Sequence, residues 1–193
     1  MKLKRLSKQY DIRFLKTEDI DIILKLCSQN ELFYQYHPPF ATKESIIEDM
    51  QALPPGKDEK DKFYVGYFDG NQLVAVLDLI LGYPNEITAY IGFFMMNKEY
   101  QGKGIGTQII CECAEYLKEL RFGKIGLAID KGNPQSEAFW MKNCFVKTAQ
   151  EVPNEHSTYL SMERVLFFDV NLERTCNLET KMISSRLERN YKN

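Results

Sequence analysis

The sequence predicts an α+β fold (mixed α/β): a central, mostly antiparallel, twisted sheet of about six to seven strands, flanked by four helices. Three observations support this prediction. Apolar residues alternate or run continuously through the middle of the 193-residue chain, as they do in strands. Apolar residues recur at helical spacing on both sides of that region. A short Asp-Gly-Asn turn joins two of the middle strands, so these two strands run antiparallel.

The first third of the chain predicts one strand and two helices. Residues 10–16 (YDIRFLK) alternate like a strand. Thr17 is the N-cap of a first helix, whose apolar face continues to Cys27. Residues 33–40 (FYQYHPPF) predict an aromatic loop with two prolines, and Thr42 caps a second short helix. The aromatic loop either lines a pocket or covers the core.

The rest of the domain predicts six strands and two helices. Residues 101–107 are rich in glycine and open the third helix, and Asn133 with Pro134 begins the fourth. The predicted strands cover residues 63–68, 73–81, 87–96, 125–130, 145–148 and 158–164. Helices and an antiparallel sheet in this order are typical of an α+β domain.

The chain divides into a domain, residues 1–164, and a C-terminal extension, residues 165–193. The extension shows only a weak helical pattern of apolar residues. Three roles stay open for it: packing on the domain, pairing with a second subunit in a homodimer, or mobility.

Composition excludes several classes of function. The 25 basic and 27 acidic residues give a net charge of −2, which argues against a nucleic-acid-binding protein. No apolar run is long enough to cross a membrane, and no apolar segment follows the basic N-terminus, so we expect neither a membrane anchor nor a signal peptide. Five cysteines, an odd number, indicate reduced thiols and a cytoplasmic protein.

The strongest chemical signal is the segment YQGKGIGT, residues 100–107, between a strand and a helix. Glycines let the backbone approach a ligand, and the free N–H groups of a helix N-terminus favour an anion. We therefore expect a phosphate or pyrophosphate group here. The spacing matches neither the GxxxxGK[ST] phosphate-binding loop nor the GxGxxG dinucleotide motif.

Two motifs resemble the GNAT family of N-acetyltransferases. The family motif [QR]-x-x-G-x-[GA] corresponds to Gln101-Gly102-Lys103-Gly104-Ile105-Gly106. A second family segment, an asparagine followed by a helix and a closing Gly-Phe pair, corresponds to residues 133–145. The order of elements agrees from about residue 10 to residue 164, so the resemblance implies the GNAT-like sheet.

The resemblance also implies a donor and the residues that bind it. The donor is acetyl-CoA or a related acyl-CoA, used as co-substrate, and no metal is expected. The backbone of Gln101, Gly102, Lys103, Gly104, Ile105, Gly106 and Thr107 would bind the pyrophosphate. In the family the fourth strand separates from the fifth and the pantetheine arm pairs with backbone in the gap, which by position implies Phe94, Met95 and Met96. Asn133 matches the family asparagine that contacts the pantetheine arm.

The catalytic residues depart from the family pattern. Trp140 stands where relatives often carry a tyrosine that protonates the leaving thiolate, and Cys144 replaces the glycine of the closing pair. Tyr90 stands where some relatives carry a glutamate base, so Glu86, acting through water or Tyr90, is the candidate base. Each has an alternative role: Trp140 in the core and Glu86 as a solvated strand end.

Other polar residues in the sequence give weaker signals. Asp78 interrupts an apolar strand, where a carboxylate could be a base but more often faces solvent or a helix end. His37 and His156 have no partner in the sequence and are more typical of surface histidines.

The sequence therefore predicts an N-acetyltransferase that moves an acetyl group from acetyl-CoA to a primary amine of a small molecule by direct attack. Two alternatives stay open: a non-catalytic module that binds acyl-CoA as a sensor, and a transferase acting on a protein or peptide amine.

Overall fold

The computed structural model describes residues 1–154 and 156–166, and a seven-stranded sheet lies at its centre. The strand order is β1-β2-β3-β4-β5-β7-β6. Every neighbouring pair is antiparallel except β4 and β5, which are parallel. The strands are β1 (Asp11–Phe14), β2 (Lys62–Asp69), β3 (Gln72–Leu81), β4 (Thr88–Met96), β5 (Lys124–Asp130), β6 (Val146–Pro153) and β7 (Thr158–Val165). The predicted fold class is confirmed.

Residues 1–154 and 156–166 contain five α-helices, one more than the sequence predicts. They are α1 (Ile20–Ser28), α2 (Glu31–Tyr36), α3 (Lys43–Gln51), α4 (Ile105–Glu119) and α5 (Pro134–Lys142). The additional helix, α2, occupies the first half of the predicted aromatic loop. It ends before His37 because the two prolines that follow cannot continue a helix. None of these helices combines the length and the apolar composition needed to cross a membrane.

Helices cover both faces of the sheet. On one face, Leu77 packs in a cluster with Ile109 of α4 and Trp140 of α5. On the other face, Val76 packs in a cluster with Ile23 of α1 and with residues of α3. A strand buried on both faces needs apolar side chains at successive positions, which explains the continuous apolar run of β3.

The described chain ends two residues after the predicted domain boundary. Val165 is the last residue of β7, and the buried Leu166 donates its backbone N–H to the Gly123 carbonyl at 2.8 Å. These two residues therefore belong to the sheet and its core. Residues 167–193 lie outside the described residues, so the extension and the homodimer stay predictions.

Candidate active site

A glycine-rich loop joins the end of β4 to the start of α4. Gly102 has φ +72° and Gly104 has φ +80°, in the left-handed region. A residue with a Cβ enters this region at a cost of about 1 kcal/mol. Gly104 directly precedes α4, so the free N–H groups of the first helical turn face the loop. A Cβ added at either glycine would meet no atom within 4 Å, which leaves open space in front of this helix N-terminus.

The Gln101 side chain fixes the loop to the rest of the domain. Its amide nitrogen donates to the Asn30 side-chain oxygen at 2.7 Å and to the Met96 carbonyl at 3.0 Å. Asn30, at the start of α2, also donates to the Met96 carbonyl at 3.1 Å. The loop, the end of β4 and the start of α2 are thus connected by hydrogen bonds.

Strands β4 and β5 pair only over their first halves. The parallel pairing runs from Thr88 with Lys124 to Ile91 with Leu127 and then stops. On the other side, β4 stays paired with β3 up to Met96, with a register shift that leaves Gly92 as the extra residue. A Cβ on Gly92 would lie 2.7 Å from an Asp78 carboxylate oxygen. The bulge therefore requires glycine. Beyond the bulge, β4 is no longer paired with β5, and a gap lies between these two strands.

A cavity of about 950 Å³ begins at the glycine loop and passes through this gap. Its walls come from α2, α3, the second halves of β4 and β5, and α5. Most of the predicted donor residues line it: Phe94, Met95, Met96, Gln101, Gly102, Gly104, Gly106, Thr107 and Asn133. Lys103 and Ile105, in the same loop, are not among the lining residues.

Trp140 lies in an aromatic cluster at the cavity wall. It is buried and makes edge contacts with Phe94, Phe139 and Phe145, with ring centroids 5.0 to 6.0 Å apart. Phe139 stacks on Phe94 at 5.7 Å. Trp140 thus anchors α5 to β4, in agreement with its core alternative, and it also lines the cavity.

Two further predicted residues, Asn133 and Cys144, lie at the ends of α5. The Asn133 side-chain oxygen accepts the Ser136 N–H at 3.0 Å, so this asparagine caps the helix as well as lining the cavity. Cys144, just past the helix, has φ +64°, the conformation that a glycine would adopt more easily. The turn of the closing pair is therefore formed even without glycine.

Of the two residues predicted to provide the general base, Tyr90 lines the cavity and Glu86 does not. Tyr90 is half-buried, lines the cavity and contacts the Tyr83 ring edge-on at 5.5 Å. Burial raises the pKa of its phenol, so the hydroxyl keeps its proton at neutral pH. Glu86 lies exposed on the turn before β4 and is not among the lining residues.

A buried ion pair lies on the cavity wall. Asp78 on β3 accepts from the Lys62 ammonium group at 2.8 Å, and both side chains are at least nine-tenths buried. This pair shows that the expectation for Asp78, which was to face solvent or a helix end, was wrong. The expectation failed because no local pattern in the sequence shows that Lys62 lies beside Asp78. Burial raises the pKa of the Asp78 carboxyl, which Lys62 partly offsets.

Sequence reasoning also missed a histidine–aspartate pair. His37, directly after α2, has its Nδ1 atom 3.0 Å from a carboxylate oxygen of Asp130, the last residue of β5. Both residues line the cavity, together with Asp49 of α3. They are 93 positions apart, so no local pattern could have joined them. Across residues 1–154 and 156–166, no group of three His, Cys, Asp or Glu side chains is placed to hold a metal ion.

Several solved structures share this fold. An acetyltransferase from Thermus thermophilus is 21% identical, with a TM-score of 0.65, covering 82% of this chain and 97% of its own. A spermidine N-acetyltransferase from Vibrio cholerae, solved with CoA and spermine, is 18% identical, with a TM-score of 0.61 and coverages of 83% and 97%. The ribosomal-protein-S18-alanine N-acetyltransferase from Escherichia coli is 12% identical, with a TM-score of 0.61 and coverages of 83% and 96%.

Comparison with curated proteins gives no match. The model of the acetyltransferase (GNAT) family matches residues 27–144, more than half of the chain. The matched segment includes α2, β4, the glycine loop and α5. The chain therefore belongs to the GNAT family of acetyltransferases.

Proposed function

We propose that this protein transfers the acetyl group of acetyl-CoA to a primary amine of a small molecule, by direct attack of the amine in a ternary complex. The observation that carries the proposal is the extent of the cavity. One continuous space of about 950 Å³ connects the glycine loop with a region lined by aromatic and acidic side chains. A donor with phosphates and a cationic acceptor fit opposite ends of such a space.

The donor end fits the phosphates of coenzyme A. The loop at Gly102 and Gly104 leaves open space before the first turn of α4, where free N–H groups and the helix dipole favour an anion. Phe94, Met95 and Met96 line the cavity beyond the last β4–β5 pair, so their backbone groups are candidates to bind the pantetheine arm. The Met96 carbonyl already accepts two side-chain hydrogen bonds.

The thioester supplies an activated acetyl group, and the remaining chemistry falls to the amine and the protein. The acceptor nitrogen forms the C–N bond as the C–S bond breaks. A backbone N–H of β4 at the gap would donate to the carbonyl oxygen, a contribution of roughly 3 kcal/mol in comparable sites. A thiol of pKa about 8.5 leaves readily as thiolate, so Trp140 need not supply a proton.

The acceptor end favours a cation with an apolar part. Asp49, Asp78 and Asp130 contribute carboxylates there, only one of which is neutralised at close range by lysine. Aromatic side chains of α2 and β7 and of the segment after α2 complete this end of the cavity: Phe33, Tyr34, Phe40 and Tyr159. An alkylammonium ion would be held by the carboxylates while its carbon chain packs on the rings.

The donor half is tested by calorimetric titration of acetyl-CoA into the wild type and the Gly104→Asp variant. The new carboxylate faces the phosphates and carries a Cβ at positive φ, so we expect affinity to fall at least about 100-fold. Gly56→Asp is the matched control: Gly56 has φ +79°, no atom within 4 Å of an added Cβ, and no part in the cavity. Its affinity should equal that of the wild type.

The transfer is tested by following thiol release from acetyl-CoA with spermidine, tyramine and an alanyl dipeptide amide. Turnover with spermidine or tyramine supports the proposal. Turnover with the dipeptide alone would replace it with a peptide acceptor, and saturable acetyl-CoA binding without turnover would favour the sensor. Absence of acetyl-CoA binding would overturn the donor assignment.

A further inference from the structure

His37 and Asp130 form a supported pair on the wall of the cavity. Asp130 is 4% exposed, and one of its oxygens lies 3.0 Å from His37 Nδ1. The His37 side chain is 41% exposed, so one edge of the ring is anchored while the rest remains accessible. The backbone N–H of His37 donates to the Phe33 carbonyl at 3.1 Å, which fixes the residue to the end of α2.

The position of the His37 ring is also constrained on its faces. Phe33 lies 5.1 Å away, and Tyr159 of β7 stacks at 6.2 Å, centroid to centroid. Both aromatic residues line the cavity with His37. The imidazole is therefore held by three elements, α2, β5 and β7, in one orientation.

This contact determines which nitrogen carries the proton. An ionised carboxylate only accepts hydrogen bonds, so Nδ1 must be the N–H that donates to Asp130. In the neutral ring, Nε2 then carries the lone pair. A histidine with an acceptor nitrogen at a cavity wall, oriented by a carboxylate, has the arrangement of a general base.

We propose that His37 is the general base of the acetyl transfer and that Asp130 is its positioning residue. This inference rests on the proposed function. A primary ammonium ion loses one proton to His37 Nε2, and the neutral nitrogen forms the C–N bond as the C–S bond breaks. The nitrogen gives up a second proton, which with the departing thiolate makes the free thiol of coenzyme A. The imidazolium returns its proton to solvent.

The need for a base follows from the acceptor. An alkylamine of pKa about 10.4 is neutral in only about one molecule in a few thousand at pH 7. Glu86 is exposed outside the lining of the cavity, and the half-buried Tyr90 phenol retains its proton at neutral pH. Of these three candidates, only His37 combines a place on the cavity wall with a ring nitrogen whose lone pair can take up a proton.

Charged and titratable groups face His37 from three elements. Asp130 faces it from β5, Asp49 acts on it from α3 and Tyr159 stacks on it from β7. Burial raises the pKa of Tyr159, so this phenol is neutral near pH 7. The carboxyl groups of Asp130 and Asp49 are thus the acidic groups that face the ring, and burial raises the pKa of the Asp49 carboxyl.

The test compares kcat/KM across pH 6 to 9.5 for wild type, His37→Gln and Asp130→Asn, with saturating acetyl-CoA and spermidine or tyramine as acceptor. His37→Gln should lower kcat/KM at pH 7 by about 10²- to 10⁴-fold, the usual contribution of a general base. The loss should shrink as pH rises, because free amine becomes abundant. The affinity for acetyl-CoA should not change. The kcat/KM of Asp130→Asn should lie between the values of the wild type and of His37→Gln.

His156→Gln is the matched control, because His156 lies exposed in the β6–β7 loop and does not line the cavity. With only two histidines in the chain, nitrogen NMR of the His156→Gln variant reports His37 alone. We expect the Nδ1–H form, and its loss in a variant that also carries Asp130→Asn.

Each contrary outcome has a distinct meaning. Turnover by wild type with an unchanged His37→Gln profile would overturn the assignment alone. A pH-independent loss, or weakened acetyl-CoA binding, would make His37 a structural residue and also overturn it. No turnover by wild type with any amine would overturn the proposed function, and this assignment with it.

Discussion

The two ends of the cavity are built in different ways. The phosphate-binding part of the proposed donor end comes from one contiguous segment, residues 101–107, whose glycines set the backbone in front of α4. The acceptor end brings together side chains from α2, α3, β2, β3 and β5. The phosphate-binding loop therefore depends on local conformation, whereas the proposed acceptor end exists only once the whole sheet has formed.

The two ends also differ in buried charge. Lys62, Asp78 and Asp130 are all buried at the acceptor end, and one oxygen each of Asp78 and Asp130 has no hydrogen-bond partner among the described residues. The donor end presents backbone groups and apolar side chains. Buried charge is costly to maintain unless it is paired, so the acceptor end should be the more sensitive to substitution.

The largest expected effect is that of Asp78→Leu, which would leave the Lys62 ammonium group buried without its partner. We expect the free energy of unfolding to fall by about 3–5 kcal/mol, measured by urea denaturation. The double variant Lys62→Met/Asp78→Leu should recover most of the loss, because both charges are gone. Asp21→Leu, at an exposed pair with Lys43, is the control and should change stability by less than about 1 kcal/mol. Equal stability of Asp78→Leu and wild type would contradict this view.

Asp19, a carboxylate away from the cavity, has a pKa shift opposite in direction to that of Asp78. Asp19 is buried and accepts two 2.7 Å hydrogen bonds from the Arg13 guanidinium group, which lowers the pKa of the Asp19 carboxyl. Because the folded pKa is below the unfolded value of about 3.9, the stabilisation is present above that pH and is lost as pH falls through the folded pKa. For Asp78, with a raised pKa, stability falls as pH rises through the window above about 3.9.

Asp19→Asn should therefore cost about 1–2 kcal/mol at pH 7, since Arg13 is half exposed and its hydrogen bonds are partly screened. The difference from wild type should diminish below about pH 4. Urea denaturation at several pH values measures the cost at pH 7 and its decrease at low pH. Glu18→Gln, at an exposed neighbouring residue, is the control. A difference that stayed constant with pH would show that the carboxylate charge is not the cause.

Gln101→Ala tests whether the two ends are coupled, because this side chain connects the glycine loop to the start of α2. Loss of the two hydrogen bonds should reduce stability by about 1 kcal/mol and weaken acetyl-CoA binding by about tenfold. Gln108→Ala on α4 removes an exposed glutamine of the same type and should change neither. Unchanged affinity in Gln101→Ala would mean that the loop keeps its position without α2.

The difference between the two ends explains what the sequence could and could not predict. Strand alternation, the hairpin turn at Gly70 and the cap at Asn133 are local features, and the structure has the strands, the turn and the cap at those places. The additional helix α2 was missed because Pro38 and Pro39 follow it closely and outweighed its short helical pattern.

The site was predictable only where its residues are neighbours in the chain. The Gly92 bulge depends on the register of β3 against β4, which sequence periodicity does not reveal. The pairs Lys62–Asp78 and His37–Asp130 join residues 16 and 93 positions apart. The one available signal was Asp78, a carboxylate in an otherwise apolar strand, because a buried charge requires a partner of opposite charge.

The smallest expected effect concerns Cys144, which ends α5 in a conformation that the family pattern assigns to glycine. Its φ of +64° carries a cost of about 1 kcal/mol that a residue without Cβ avoids, although glycine also loses more conformational entropy on folding. Cys144→Gly should therefore be more stable than Cys144→Ala by at most about 1 kcal/mol in thermal or urea unfolding, since both variants lack the thiol and only alanine keeps the strained Cβ. If alanine proved the more stable, the conformational entropy that glycine loses on folding would outweigh the strain of a Cβ at this turn.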